Sequence, residues 1–422
     1  MTKNYYFLKR LLSLIVISAS AFVLYGQTEI SNRAGLEAIN DGLDGSYILT
    51  ADIDLTGTNW SPLGSNSTPF TGTLDGNGHI ITGLRYDNTD SDNSDYPSGS
   101  RKVGLFSVIS GGTVKNLGLE RAYVKGGKHV GGIAGTLKGG AVVEQCYVGN
   151  SYIETGDHGG SIAGQMDGPA TIRNCYANGE VYSRADQGSG LLGRFVDQGL
   201  ISKCYFSGIV RSGNPSGIGA YNDGDLDTRA VVENSVNLAP YILGDRNLRV
   251  NPGPNSEKDG KSRIPTLTKL YSLKYTFLSK TKDDFTTTSI VPTNDGNYGT
   301  DKRHGANIPG GDAQSLSQSF YQHTLSWDFD DVWKMPANGY PILKWQSDPT
   351  EVSVVAIKGG DKLLFPGKPL NLYKYIHLGN TLQSNTNVFV DFTSASSYVE
   401  VVNGAAQLTA SGLTQTGTID VT

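Results

Sequence analysis

The chain has 422 residues, 54 of them glycine and only three cysteine, with 35 Lys and Arg against 40 Asp and Glu for a net charge of −5. The glycines follow no three-residue period, which excludes a collagen-like rod. The mixed charges give no basic footprint, so nucleic acid is not an expected partner. Length alone suggests two or three domains.

Residues 1–26 read as an export signal. Lys3, Lys9 and Arg10 precede an apolar run from Leu11 to Val23, and Ala19-Ser20-Ala21 and the Gly26/Gln27 junction are cleavage candidates. The run is shorter than the roughly 20 residues a membrane span needs, so no span is expected after cleavage. No cysteine lies near the junction to carry a lipid. Ile30 to Asn40 then reads as a short helix capped by Ser31, with Ile30, Leu36 and Ile39 on one face.

Short strands follow, in YILTADIDL (47–55) and FTGTLDGNGHIITGL (70–84). From 130 onward one pattern returns every 29 residues: VGGIAGTLKGGAVVEQCYVGNSYI, GGSIAGQMDGPATIRNCYANGEVY and GSGLLGRFVDQGLISKCYFSGIVR. Cys146, Cys175 and Cys204 share that spacing, as do Tyr147, Tyr176 and Tyr205, and Gly135, Gly164 and Gly193. A period of this size marks a solenoid whose repeats stack on one another. Residues 103–124 and 216–242 read as divergent first and last copies. Three strands can be drawn per copy, GGIAG-like, ATIRN-like and CYANGEVY-like.

Positions 116, 145, 174, 203 and 234 (Asn, Gln, Asn, Lys, Asn) fall where a sharp corner is needed, and asparagine tolerates the left-handed conformation of such a corner. In-register parallel stacking gives three sheets and a right-handed parallel β-helix. About seven coils at about 4.8 Å each make a rod near 35 Å long. The three cysteines read as a buried ladder, because stacked Cβ vectors suit a disulfide poorly.

Proline, glycine and charge dominate residues 246–312, read as a degenerate last coil with long loops. Gln314 to His323 reads as a short helix. Residues 326–345 (SWDFDDVWKMPANGYPILKW) hold the densest aromatic cluster, expected to plug the last coil. Residues 351–422 alternate in short strands and read as a small β-sandwich.

Gly132-Ile133-Ala134-Gly135, Ser161-Ile162-Ala163-Gly164 and Gly190-Leu191-Leu192-Gly193, each followed by an xCY segment, resemble the GLUG motif of bacterial surface proteins. The likeness covers about residues 29–345 and includes the flanking LDGNGHIITGL and GYPILKW segments. The tail resembles a bacterial Ig-like module, and the organisation resembles exported proteins of the Bacteroidetes type. The resemblance implies a secreted or cell-surface location and an adhesin-like or carbohydrate-associated role. It supplies no catalytic residues. The organisation expected is therefore a signal at 1–26, a GLUG-repeat β-helix at 27–345 and an Ig-like domain at 351–422.

Three constellations are candidates for contact or chemistry. If the cysteines point inward, Tyr147, Tyr176 and Tyr205 point outward, one per coil, either as a stacked platform for glycans or a surface protein or as a ladder that stabilises the sheet or lies under a long loop. Lys128-His129, Asp157-His158 and Asp186-Gln187 form a loop column whose imidazoles and carboxylates suit zinc or acid–base work, although the third copy carries Gln in place of His. Asp87, Asp90, Asp92 and Asp95 in DNTDSDNSD, and Asp223, Asp225 and Asp227 in NDGDLD, offer oxygens of the kind calcium uses. They lack the twelve-residue loop pattern and read first as solvated turns, so no cofactor is expected beyond that calcium alternative. A polysaccharide lyase or hydrolase is the alternative reading, but the NTD, DD, GHG and RIK elements of one such class are scattered or missing. A purely structural stalk is the third.

Overall fold

The computed structural model spans the chain and describes residues 26–87, 102–185, 187–219, 230–239, 241–244, 266–273, 276–279, 289–290, 299–301, 304–336, 339–348 and three short strands near the C-terminus. The segment read as an export signal, Asp90, Asp92, Asp95, the NDGDLD carboxylates and nearly all of the tail read as an Ig-like module lie outside the described residues. The tail contributes Leu370–Asn371, Val399–Val402 and Ala405–Leu408, paired antiparallel.

The remainder is an all-β parallel solenoid of about six turns, one fewer than the spacing suggested. Its strands form one long sheet of 22 strands and two parallel sheets of four. One coil runs Ala141–Glu144, Tyr147–Thr155, His158–Gly160 and Ala163–Asp167. The 29-residue period is the pairing register: Tyr147 faces Tyr176, Val143 faces Ile172 and His158 faces Gln187 on successive coils. Residues beyond 246 rejoin the long sheet, where Thr266–Ser272 pairs in parallel with Val231–Asn237.

The expected corners are present. Asn116, Gln145, Asn174, Lys203 and Asn234 all have φ between 49° and 55°, and Asn77 and Lys269 extend the column at 50°. Each corner flips side-chain parity, so Ile172 and Cys175 are both buried. The three cysteines are unpaired and fully buried, each thiol donating to the carbonyl two residues before it at 3.2 Å.

The GLUG-like sequence is not a strand of its own, as the three-strand reading had it. It is the corner between two strands, His129–Gly131 and Ala134–Lys138 in the first copy. Its last glycine is required by space. A Cβ on Gly135, Gly164 or Gly193 would collide with the backbone nitrogen of Val103, Val130 or Gly159, one coil earlier. The first position holds Ser161 in the second copy, whereas a Cβ on Gly190 of the third would collide with the Gly217 carbonyl oxygen.

The first coil is capped by the helix Arg33–Glu37 and a 3-10 turn, Ala38–Asp41, with Ile30, Leu36 and Ile39 in the core. The cap residue is Asn32, whose side chain accepts from the Gly35 amide, not Ser31. The helix expected over 314–323 is instead a 3-10 turn, Asp312–Leu316, followed by a π turn, Phe320–Thr324.

Candidate functional site

Two outward faces of the long sheet carry stacked aromatic side chains, and they differ in what lies over them. The first is the expected tyrosine ladder. Tyr147, Tyr176 and Tyr205 stack with ring centroids 5.1 and 4.8 Å apart and interplanar angles of 7° and 6°. They point away from the main core, as the parity argument required, yet all three are buried. The aromatic segment expected to plug the end of the last coil instead runs lengthwise over the ladder. Trp327 and Trp333 lie 6.3 and 6.2 Å from the Tyr205 ring, and Trp345 lies 5.7 Å from Tyr147.

Together these residues form a second hydrophobic core, with Tyr271, Phe320, Tyr321 and Leu343. The hydroxyls are satisfied inside it. Tyr147 donates to Glu120 Oε1 at 2.7 Å, Tyr205 donates to the Pro341 carbonyl at 2.8 Å, and Tyr176 pairs with the Gln346 amide. Two indole N–H groups anchor the cover on corner carbonyls: Trp327 on Asn234 at 2.7 Å and Trp345 on Gln145 at 3.2 Å. With the segment in place the three rings form no open platform for a glycan; of the two readings of the ladder, the covered one is present. Burial pushes all three hydroxyls up in pKa. The same desolvation lifts the Glu120 carboxyl to about 7.

The second face was not singled out from sequence. It is built by Arg85–Asp87, Tyr123–Gly126 and the distal halves of Tyr147–Thr155 and Tyr176–Ser183, followed by Ile209–Ser212. Register aligns Arg85, Tyr123, Tyr152, Glu180 and Ile209 in one column and Asp87, Lys125, Glu154, Tyr182 and Arg211 in the next. Tyr123 and Tyr152 stack at 5.4 Å and 18°, with the Arg85 guanidinium 4.6 Å above Tyr123 and that of Arg211 4.7 Å above Tyr182.

Ion pairs knit this face together: Arg85 with Asp87 at 2.5 Å, Arg211 with Glu180 at 2.5 Å and Lys125 with Glu154 at 3.8 Å. Its three tyrosines are part-exposed. The signal was present, since Tyr123 and Tyr152 are 29 residues apart. It was masked by a register shift between Val148 and Ser151, which makes Glu180, not Val181, the next neighbour of Tyr152.

Asp87 belongs to this face as an ion-pair partner of Arg85. The histidine column does assemble. His129 and His158 are buried, in register, with ring centroids 5.2 Å apart, and Gln187 follows. Desolvation, reinforced by nearby Lys102, Lys128 and Arg194, lowers their pKa values to about 3 and about 2, so both are neutral. Among the described residues no cluster of three or more His, Cys, Asp or Glu is arranged to hold a metal ion.

No family model matches the chain. Halomucin of Haloquadratum walsbyi is 38% identical over 128 residues, 26% of this chain but 1% of halomucin. A candidate Gly-rich membrane protein of Evansella cellulosilytica is 36% identical over 104 residues, 22% of this chain and 11% of that protein. The chain therefore matches only a small part of the length of these relatives. Among solved structures, a candidate immunoglobulin A1 protease from Bacteroides ovatus superposes with a TM-score of 0.51 over 76% of this chain and 93% of that one, at 22% identity. That likeness is one of fold. Among the described residues, no helix is long and apolar enough to cross a membrane.

Proposed function

We propose that the chain is an exported, surface-displayed binding protein whose solenoid presents the Tyr123–Tyr152 face to glycans or to proteins on a host or neighbouring cell. The observation that carries this reading is the part-exposed Arg85–Tyr123–Tyr152 stack, flanked on the same sheet by Tyr182 under Arg211. Aromatic faces offer contact area at low entropic cost, and the charged column beside them adds directional partners. In-register strands hold these groups rigidly, so several weak contacts act together.

The 1–26 segment supports export. The GLUG-like repeats and the names of the two relatives, a halomucin and a membrane protein, support display outside the cell. The Ig-like tail serves as a spacer, and calcium at the DNTDSDNSD carboxylates stays part of this reading. The binding column moves from Tyr147, Tyr176 and Tyr205 to Tyr123 and Tyr152, because the former form the seat of the closing segment.

A glycan array and a cell-binding assay with Tyr123→Ala/Tyr152→Ala test the reading. The double variant should melt within a few degrees of the parent and lose at least tenfold in binding. Undiminished binding by a folded double variant would overturn it.

A further inference from the structure

The covered tyrosine ladder ends in a vacancy. Its outward column reads Tyr205, Tyr176, Tyr147, Gly118, Ile80 across successive coils. The Tyr147 ring leans over Gly118, where a Cβ would meet the ring and its hydroxyl. At the level of Ile80 the ladder has no ring. A cleft of about 250 Å³ remains, lined by Asp52, His79, Ile80, Tyr147, Trp345 and Gln346.

Each wall is fixed by the fold. Asp52 Oδ1 accepts from the Ile80 amide at 3.0 Å and pairs with His79 Nδ1 at 3.2 Å, which orients both side chains at the rim. Gly78, at φ 80°, brings the backbone close beneath the Trp345 side chain. Trp345 is pinned from the other side by its bond to the Gln145 carbonyl at 3.2 Å. Gln346 is held by the Leu343 amide at 2.8 Å and by the Tyr176 hydroxyl.

We infer that this cleft is a binding site for one uncharged pyranose unit. Three features of the cleft select that chemistry. The volume falls below the roughly 300–1,000 Å³ of pockets for drug-sized ligands, so it suits a single ring. One wall is aromatic, and the rim offers a carboxylate and an imidazole. A pyranose has an apolar C–H face for the indole and hydroxyls for the polar rim. A planar apolar ring would desolvate those polar groups without replacing their hydrogen bonds, and a uronic acid would bring its carboxylate against Asp52. The site is separate from the open tyrosine face and does not depend on it.

Ligand-observed NMR and calorimetry on the full chain, with the methyl glycosides of glucose, galactose, mannose and N-acetylglucosamine and with methyl glucuronide as the charged control, test the inference. At least one neutral glycoside should bind saturably and the glucuronide at least tenfold more weakly. Asp52→Asn should weaken binding at least tenfold. Ser347→Trp, at an exposed position on the cleft mouth, should abolish it without lowering the melting temperature, and covers the case in which the Asp52 variant fails to fold. Tyr123→Ala/Tyr152→Ala should leave it unchanged, which separates failure of this site from failure of the open face. No saturable binding by any neutral glycoside, or binding that survives Ser347→Trp, overturns the inference.

Discussion

The corner residues show how single positions set the shape of the coil. Left-handed backbone costs an L-residue roughly 1–2 kcal/mol, less for asparagine, whose short side chain bonds locally. Lys203 occupies such a corner at φ 55° where the copies before and behind it have Asn174 and Asn234. Lys203→Asn should therefore stabilise the chain by about 1 kcal/mol, and Lys203→Val should destabilise it by at least as much. Urea melts of the two variants against the parent check the pair. The corners from Asn116 to Lys203 were legible because the 29-residue spacing overlays them, and Asn234 follows at 31. Asn77 and Lys269 were not, because loops of other lengths precede and follow the regular copies, so spacing could not locate them.

At the scale of elements, the glycine-rich corner is set by contact between backbones. Gly164→Ala should cost about 2–3 kcal/mol, since the clash is with the Val130 backbone nitrogen of the neighbouring coil and no side chain can yield. Gly127→Ala, where a Cβ would meet nothing within 4 Å, should be close to neutral. Thermal denaturation of both variants separates a spatial requirement from a loss of chain flexibility. The direction of the tyrosine ladder was likewise legible from strand parity. Which segment covers it was not, because the contacts that bury it join residues far apart in sequence, such as Tyr176 with Gln346 at a separation of 170 and Trp345 with Gln145 at 200. Pattern within a strand carries no information about such pairs. The open face was obscured for a more local reason, the one-residue shift after Val148.

At the scale of the whole molecule, buried titratable groups make stability depend on pH in two opposing ways. His129 and His158 are neutral in the fold, with values of about 3 and about 2. Unfolded, each binds a proton below about pH 6.5. Their contribution is complete above that pH and is lost as the pH falls. Glu120, at about 7 when folded, ionises near 4.5 when unfolded. Its contribution is present in acid and is lost as the pH rises from about 4.5 to about 7. Between about pH 4.5 and 6.5 the unfolded chain gains two protons from the histidines and lags by one at Glu120. These three groups together should then lower stability by about 1 kcal/mol per pH unit of acidification. Glu120→Gln should roughly double that slope and stabilise the protein at pH 8. His129→Gln/His158→Gln, copying Gln187 of the next coil, should reverse its sign. Denaturation midpoints from pH 4.5 to 8 on the three proteins decide the matter.

The closing segment has a mechanical consequence. A stack of coils that touch only their neighbours loosens from its ends, one coil after another. Here one strip of chain rests against Tyr271, Tyr205, Tyr176 and Tyr147 in turn, on coils that are not all adjacent. It acts as a splint. A load that peels one coil away must also lift the strip from the others, so the rod resists as a single piece up to the point at which it gives way.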